Sequence, residues 1–377
     1  MNFELTDQQR MIRDLAREFA RREIAPVAAK LDRQQAFPHA IFDKAREIGL
    51  LNLTVPETFG GAALGVLDLC LAAEEMAWAC TGVTLALELN SIVGDVFAVG
   101  GNDAQRKEYL GRLVDGEIGC YAVTEPAAGS DVAAIQTTAR RRRDRYVLNG
   151  TKIWISNATV ATFGIVFAKT DPEAGRDGIS ALVVEMNSPG VTISRKLEKL
   201  GQRSAPAAEI NLVDVEVPLS SRVGKEGAAF LIAMHVFDRS RPMIAAMATG
   251  LTQRCLDESL SYATMRQTMG RPIIRHQAIG HRIADMAMRG EASRQLTRQA
   301  AWMLDQGQRN TRHAAYAKAF AADTATWAAS EAVQVHGGMG YSTEMPVEKL
   351  YRDAKVLQIY EGTSEIQRNV IVRELSN

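Results

Sequence analysis

The spacing of apolar residues changes period twice along this chain, and few folds accommodate that. Over the first block Phe3, Leu5, Ile12, Leu15, Phe19 and Ile24 recur near helical spacing until Pro26 interrupts them. Further helical segments are expected at about 41–49, 67–79 and 83–99, with a loop at Val55-Pro56-Glu57 and Gly60-Gly61. From about residue 117 the pattern becomes alternating and β-branched, in short runs such as Ile153 to Ile155, Ile179 to Val184 and Ile210 to Val217. Turn pairs such as Asn149-Gly150 and Pro189-Gly190 separate these runs. From about 225 the chain is helical again, in long alanine-rich segments at about 228–265, 276–305 and 316–335, which predict a bundle. The sequence thus predicts an α+β protein in three blocks: an N-terminal helical domain (1–116), a small, mostly antiparallel β domain (117–224) and a C-terminal helical bundle domain (225–377). With 377 residues, 46% of them hydrophobic, the chain is long enough to bury a large core.

Lys+Arg and Asp+Glu stand at 44 each, so no net field draws the protein to nucleic acid or to an anionic membrane. The one basic block, Arg140 to Arg143 before Asp144, reads as a solvated hairpin. Cys70, Cys80, Cys120 and Cys255 form no C-x-x-C pair, which predicts a reducing compartment without a disulfide frame or structural metal. The first twenty residues are charged and amphipathic, unlike a signal peptide, and no unbroken apolar run approaches the roughly 20 residues of a membrane span. A cytoplasmic protein without nucleic-acid or membrane partners is expected; a processed mitochondrial form would look the same. No nicotinamide fingerprint is present: His336-Gly337-Gly338-Met339-Gly340 follows a helix and lacks the G-x-G-x-x-G spacing. The histidines are scattered, without metal-ligand spacing, and G-x-S-x-G is absent.

Near the end, Tyr360-Glu361-Gly362-Thr363-Ser364 joins an apolar segment, Val356 to Ile359, to a terminal amphipathic one, Ile366 to Leu375. Gly362 lets the backbone approach a ligand, and Thr363 or Ser364 can cap the terminal segment. Local physics leaves two readings open for Glu361. It is a solvated carboxylate in a capping loop, or a general base beside free amides.

The run Gln358-Ile359-Tyr360-Glu361-Gly362-Thr363-Ser364-Glu365-Ile366-Gln367-Arg368 resembles the C-terminal signature of the acyl-CoA dehydrogenases, where this glutamate removes the α-proton of the acyl thioester. Three other stretches resemble the same family in the family's order, so the resemblance covers essentially the whole chain and is closest to the medium-chain branch. Tyr121-Ala122-Val123-Thr124-Glu125-Pro126-Ala127-Ala128-Gly129-Ser130-Asp131 is similar to the flavin loop. The resemblance assigns Tyr121, Val123, Thr124, Gly129 and Ser130 to FAD, with Ala127 standing where the family has Gly. In Lys152-Ile153-Trp154-Ile155-Ser156-Asn157 it places Trp154 over one flavin face, with Ile155 beside it and Ser156 at the ring edge. Arg266 to Pro272, with His276-Gln277, is similar to the segment that reaches the cofactor of a neighbouring subunit. There Arg266 would pair with the pyrophosphate and Gln277 would assist, while Met269 replaces the usual aromatic residue. Gln334, Gly337 and Gly338 would meet the adenosine portion from the partner, and Thr363 and Glu365 complete the cofactor set.

Asp238-Arg239-Ser240-Arg241-Pro242 is expected to open the first long helix of the last domain, with Asp238 on the coenzyme A side and Arg241 near the site. Some branches carry the catalytic Glu at the position of Ser240; serine there and glutamate at 361 agree in placing the base at Glu361. Ser130, Tyr360 and Gly362 join the substrate residues. The resemblance implies a barrel-like middle domain, a C-terminal four-helix bundle, FAD, a homotetramer and an electron-transferring flavoprotein as acceptor. It implies α,β-dehydrogenation of an acyl-CoA to the trans-2-enoyl-CoA, with the hydride passing to flavin N5. The segment 82–95 would wall the acyl channel with Glu88 and Leu89; it holds no Lys or Arg, which disfavours a dicarboxylyl substrate such as glutaryl. Leucine at 89, where the medium-chain branch often has a small residue, predicts short- to medium-chain, including branched, acyl groups. The alternatives are a dehydrogenase of an acyl group on an acyl-carrier protein, or a flavin oxidase or monooxygenase on the same fold. The last would commonly replace Glu361 by Asp.

Overall fold

The computed structural model describes residues 4–376, so Phe3 of the first helical stripe lies outside them. Helix α1 (Asp7–Phe19) starts at Thr6, whose hydroxyl accepts from the Gln9 amide while the Gln9 side chain accepts from the Thr6 amide. It runs on through a wider turn, Ala20–Ile24, to α2 (Ala28–Gln34) and α3 (His39–Glu47).

The expected helices at 67–79 and 83–99 are one element, α4 (Val66–Gly100), broken only at Cys80 (φ −166°, ψ 110°). The sequence showed no unbroken apolar run of that length, yet α4 is long and apolar enough by composition to cross a membrane. Of its most apolar window, 89% is buried inside the protein, so it is a core helix. Its N-terminus is capped from the far end of the chain: Asp305 accepts from the amides of Val66 (2.7 Å) and Leu67 (2.9 Å). Asp305→Ala is expected to cost about 1–2 kcal/mol, read as a lower urea midpoint. An unchanged midpoint would mean that water replaces the cap at no cost.

After α5 (Asp103–Gln105) and α6 (Gly111–Val114) come strands β1 (Gly119–Ala122), β2 (Thr138–Arg142), β3 (Arg145–Ser156), β4 (Phe163–Lys169), β5 (Ile179–Glu185), β6 (Val191–Lys196), β7 (Ala207–Pro218) and β8 (Arg222–Val223). They form one sheet in the order β6-β7-β3-β2-β4-β5-β8, antiparallel except where β4 meets β1 and the end of β2. The arginine run is an exposed β2–β3 hairpin turning at Arg143 (φ 55°). Asn149-Gly150, expected as a turn between strands, instead lies inside β3 as a bulge against β7. A Cβ on Gly150 would lie 2.4 Å from the Thr137 hydroxyl oxygen, so the residue answers to a close crossing rather than a chain reversal.

The C-terminal block holds α7 (Ala229–Met265), a ribbon of β9 (Gln267–Thr268) and β10 (Arg271–Pro272), α8 (Gln277–Asp305), α9 (Thr311–His336), α10 (Val347–Ala354) and α11 (Ser364–Ser376). Asp238 to Pro242 do not open α7 but lie within it. Pro242 has no amide to offer the Asp238 carbonyl. Asn310 makes good the loss, donating its Nδ2 to that carbonyl at 3.0 Å, which lets the helix continue. One apolar core runs through α4, α7, α8 and α9, tying the two helical blocks together, and a second fills the outer side of the sheet.

Candidate functional site

Glu361 and Gly362 take consecutive left-handed conformations (φ 56° and 85°) between a short 3-10 turn, Lys355–Gln358, and α11. Glycine adopts this freely; a glutamate held there is a strained residue, which needs support. The support is dense. Gln367 Nε2 donates to the carbonyls of Glu361 (2.9 Å) and Gly362 (3.0 Å), and Lys318 Nζ donates to that of Gly362 (2.6 Å). Arg241 Nε approaches the Glu361 carbonyl more distantly, at 3.4 Å. A Cβ at 362 would lie 2.7 Å from Gln367 Nε2, so the clamp itself requires glycine. Thr363 caps α11, accepting from the Ile366 amide at 3.2 Å, as the sequence implied.

The Glu361 side chain points back toward α7, where Ser240 Oγ donates to its Oε2 at 2.6 Å. Burial raises its pKa above the ordinary carboxylate value; Ser240, Arg241 and Lys318 act in the opposite direction without cancelling it. The Glu361 amide donates to no protein acceptor among the described residues. Tyr121, within electrostatic range of Glu361, carries a buried hydroxyl without a partner among the described residues. Tyr360 is held through its hydroxyl by Gln202 (3.3 Å), whose amide donates to buried Asp353. Arg241 is 4% exposed and paired with Asp238 at 3.3 Å; Asp238 also accepts from Thr311. Glu88 and Leu89 are both buried in α4.

A second group gathers where β1 ends beside β3. The Ile153 amide donates to the Thr124 carbonyl (2.9 Å), so Val123 and Thr124 run beside the part of β3 that carries Trp154, Ile155 and Ser156. Beneath them lies a buried ion pair. Lys152 Nζ reaches Glu125 (2.7 Å) and the Val123 carbonyl (2.9 Å), while Glu125 also accepts from the amides of Gln136 (2.6 Å) and Thr137 (3.0 Å). Trp154 (φ 63°) is 56% exposed, an unusual position for an indole. The half-buried hydroxyls of Thr124 and Ser156 make no hydrogen bond among the described residues, and a Cβ on exposed Gly129 would meet nothing. An open aromatic face, two free hydroxyls and an unobstructed loop carrying Gly129 and Ser130 suit a flat, hydrogen-bonding ring with a phosphate tail, so these residues fit FAD.

The remaining residues expected at the cofactor are elsewhere. Tyr262 of α7 stacks on His336 of α9 (4.3 Å), which brings Arg266, Met269 and Gln277 to the same end of the bundle as Gln334, Gly337 and Gly338. All six are exposed, and Met269 is 89% so. Arg266 directly follows α7, 26 residues beyond Ser240, roughly 39 Å at 1.5 Å per residue. One chain therefore does not bring the two halves of the expected cofactor set together. Thr363 and Glu365 stay with the Glu361 group, where Glu365 is exposed.

Lys318, Gln367, Glu125 and Lys152 were not singled out from sequence as site residues, and Ser240 only as a marker of branch. A signal existed for Lys318: it is the lone charge in Ala314-Ala315-Tyr316-Ala317-Lys318-Ala319-Phe320-Ala321-Ala322.

Family models match nearly end to end: "Acyl-CoA dehydrogenase, N-terminal domain" over 6–117, "middle domain" over 120–215 and "C-terminal domain" over 227–376. A probable acyl-CoA dehydrogenase of Bacillus subtilis is 42% identical over 379 residues, covering 100% of both chains. The mitochondrial short-chain specific acyl-CoA dehydrogenase of Mus musculus is 42% identical over 375 residues, covering 99% of this chain and 91% of that one. Among solved structures, butyryl-CoA dehydrogenase from Megasphaera elsdenii superposes with a TM-score of 0.97 at 37% identity, covering 100% of both chains. The chain belongs to the acyl-CoA dehydrogenase family, whose members are FAD-dependent flavoproteins, and is an oxidoreductase of that class.

Proposed function

We propose that the protein dehydrogenates a short- to medium-chain acyl-CoA between its α and β carbons, with Glu361 as the base that takes the α-proton. The observation that carries this reading is the Glu361 turn, which joins a half-buried carboxylate of raised pKa to its own free amide. An α-proton beside a thioester is far less acidic than a carboxylic acid, so a base at the ordinary value of about 4.3 would accept it poorly. Burial strengthens the base. The amide of the same residue stands ready to donate to the thioester oxygen as it gains negative charge, and one such donor is worth about 3–4 kcal/mol. When bound, FAD takes up the hydride that leaves the β-carbon. Trp154, Thr124, Ser156 and Ser130 would hold it. Arg266, Gln277, Gln334, Gly337 and Gly338 would meet the cofactor of a second copy, since they are too distant to serve their own; this supports a homo-oligomer. A homotetramer that hands electrons to an electron-transferring flavoprotein is the family pattern and our expectation.

Glu88 narrows the substrate. It is fully buried, hydrogen-bonded by Ser91 (2.9 Å) and without a cation among the described residues, and burial raises its pKa to about 8. A wall that is neutral at pH 7 and has no Lys or Arg would repel nothing apolar but would leave an anionic tail unpaired. Leu89 beside it would limit length. The test is anaerobic titration of the FAD-loaded protein with acyl-CoAs of increasing length, following flavin bleaching. Four- to eight-carbon chains are expected to be preferred, and Leu89→Ala to move the optimum to longer ones. A misfit methylene is worth about 1–3 kcal/mol, 10- to 200-fold in kcat/KM. Preference for twelve carbons or for glutaryl-CoA would overturn this substrate range, and no bleaching by any CoA ester would turn attention to carrier-protein thioesters.

A further inference from the structure

We propose that Lys318 is a positioning residue for the catalytic carboxylate: from helix α9 its ammonium group pins the Gly362 carbonyl and places a fixed positive charge beneath Glu361. The inference rests on Glu361 being the base. Lys318 is 0% exposed, deep among alanines of α9, a site that would cost several kcal/mol to fill with an unpaired cation. The described residues show no salt bridge to it. Its hydrogen-bond acceptor is a single backbone carbonyl, at 2.6 Å, in the left-handed turn that carries Glu361. A side chain there for core packing alone would be better served by leucine or methionine. What the cation adds is a hold on a strained backbone and a counter-charge to the carboxylate next to it.

The surroundings of Glu361 limit which other groups can supply that charge. Helix α7 presents Ser240 as a hydrogen-bond donor and Arg241 as a cation, but Arg241 is already paired with Asp238. Helix α4 presents Asp95, a like charge, itself paired with Arg239 at 2.6 Å. β1 contributes Tyr121, and the segment's own Tyr360 is tied to Gln202. Lys318 is thus the cation facing Glu361 that makes no salt bridge among the described residues, with Asp323 of its own helix and Glu365 of α11 acting on it only through space. Burial lowers its own pKa to about 8, with Glu361 opposing that fall.

Two variants separate its roles. Lys318→Met keeps the unbranched shape of the side chain, one atom shorter, and removes both charge and hydrogen bond; Gln367 still donates to Gly362, so the fold is expected to hold. Lys318→Gln removes the charge and keeps a donor. Removing the cation destabilises ionised Glu361, so the base deprotonates at higher pH. In both variants the acid limb of the rate–pH profile for flavin reduction is expected to move up by about one unit, or about tenfold less ionised base below the limb. The plateau should fall in Lys318→Met and largely survive in Lys318→Gln, with KM for acyl-CoA little changed. A merely structural lysine would lower the rate without moving the limb, and an unmoved limb in both variants overturns the proposal. So does loss of folded, FAD-bound protein in both, which would assign Lys318 to core stability. Glu361→Gln, run alongside, tells the two readings apart. If it still bleaches at the original rate, the assignment of the base fails; if it is inert and the limb stays put, only the role of Lys318 falls.

Discussion

Glu361→Gln is expected to slow substrate-driven flavin bleaching by about a thousandfold or more, within the 10²–10⁴ that general base catalysis supplies. FAD and acyl-CoA should still bind. Glutamine is isosteric and can keep the hydrogen bond to Ser240 Oγ, now at 2.6 Å. The hydrogen bonds that clamp the turn, from Gln367 and Lys318, go to backbone carbonyls and are kept when the side chain changes. What is lost is the lone pair able to take a proton. Anaerobic stopped-flow absorbance measures the bleaching, and the spectral perturbation of bound flavin by acyl-CoA measures binding on the same sample. The wild-type rate should also fall as pH drops, with a midpoint above the ordinary carboxylate value, because burial raises the pKa and only the ionised form is a base. Bleaching within tenfold of wild type would remove Glu361 from the mechanism.

The second large effect is expected from Glu125→Ala, which carries no chemistry. Glu125 is 6% exposed and accepts from Lys152 and two backbone amides. Deleting it leaves a 0% exposed ammonium with only the Val123 carbonyl, and two amides without an acceptor. Breaking a buried pair in this way costs about 3–5 kcal/mol, a large part of a typical 5–15 kcal/mol of net stability. The loop bearing Val123 and Thr124 loosens with it, so FAD should be lost on gel filtration as the urea midpoint falls. Burial pushes Glu125 up, but Lys152 and the hydrogen bonds from Thr137 and Gln136 bring it net below its ordinary value. Its contribution is therefore present above that value and lost as pH falls through the lower folded-state one. The deficit of the variant should shrink in strong acid. A deficit that stays constant with pH would mean that charge has no part in it.

Much of this was legible along the chain. The change of period near 117 and 225 marks the three blocks, because helix and strand faces need different spacings to bury the same apolar fraction. The Asn149-Gly150 pair misled for a physical reason: glycine's lack of a Cβ serves a turn and a tight crossing equally, and only the position of Thr137 tells them apart. The proline in α7 misled likewise, since nothing near Pro242 in sequence announces that Asn310 will take up the carbonyl it frees.

By itself, the sequence determined the block order and the family and pointed to Glu361 as the candidate base, because these depend on local spacing and on short motifs. Only the tertiary structure decided what that carboxylate is. Ser240, which hydrogen-bonds it, is 121 residues away along the chain, and Lys318, beneath its turn, donates to a carbonyl 44 residues away. The two halves of the expected cofactor set are likewise kept apart by the run of α7 beyond Ser240 rather than by anything in the motifs. A pKa depends on burial and on charges within a few ångströms, and those distances exist only once helices α4, α7 and α9 have packed.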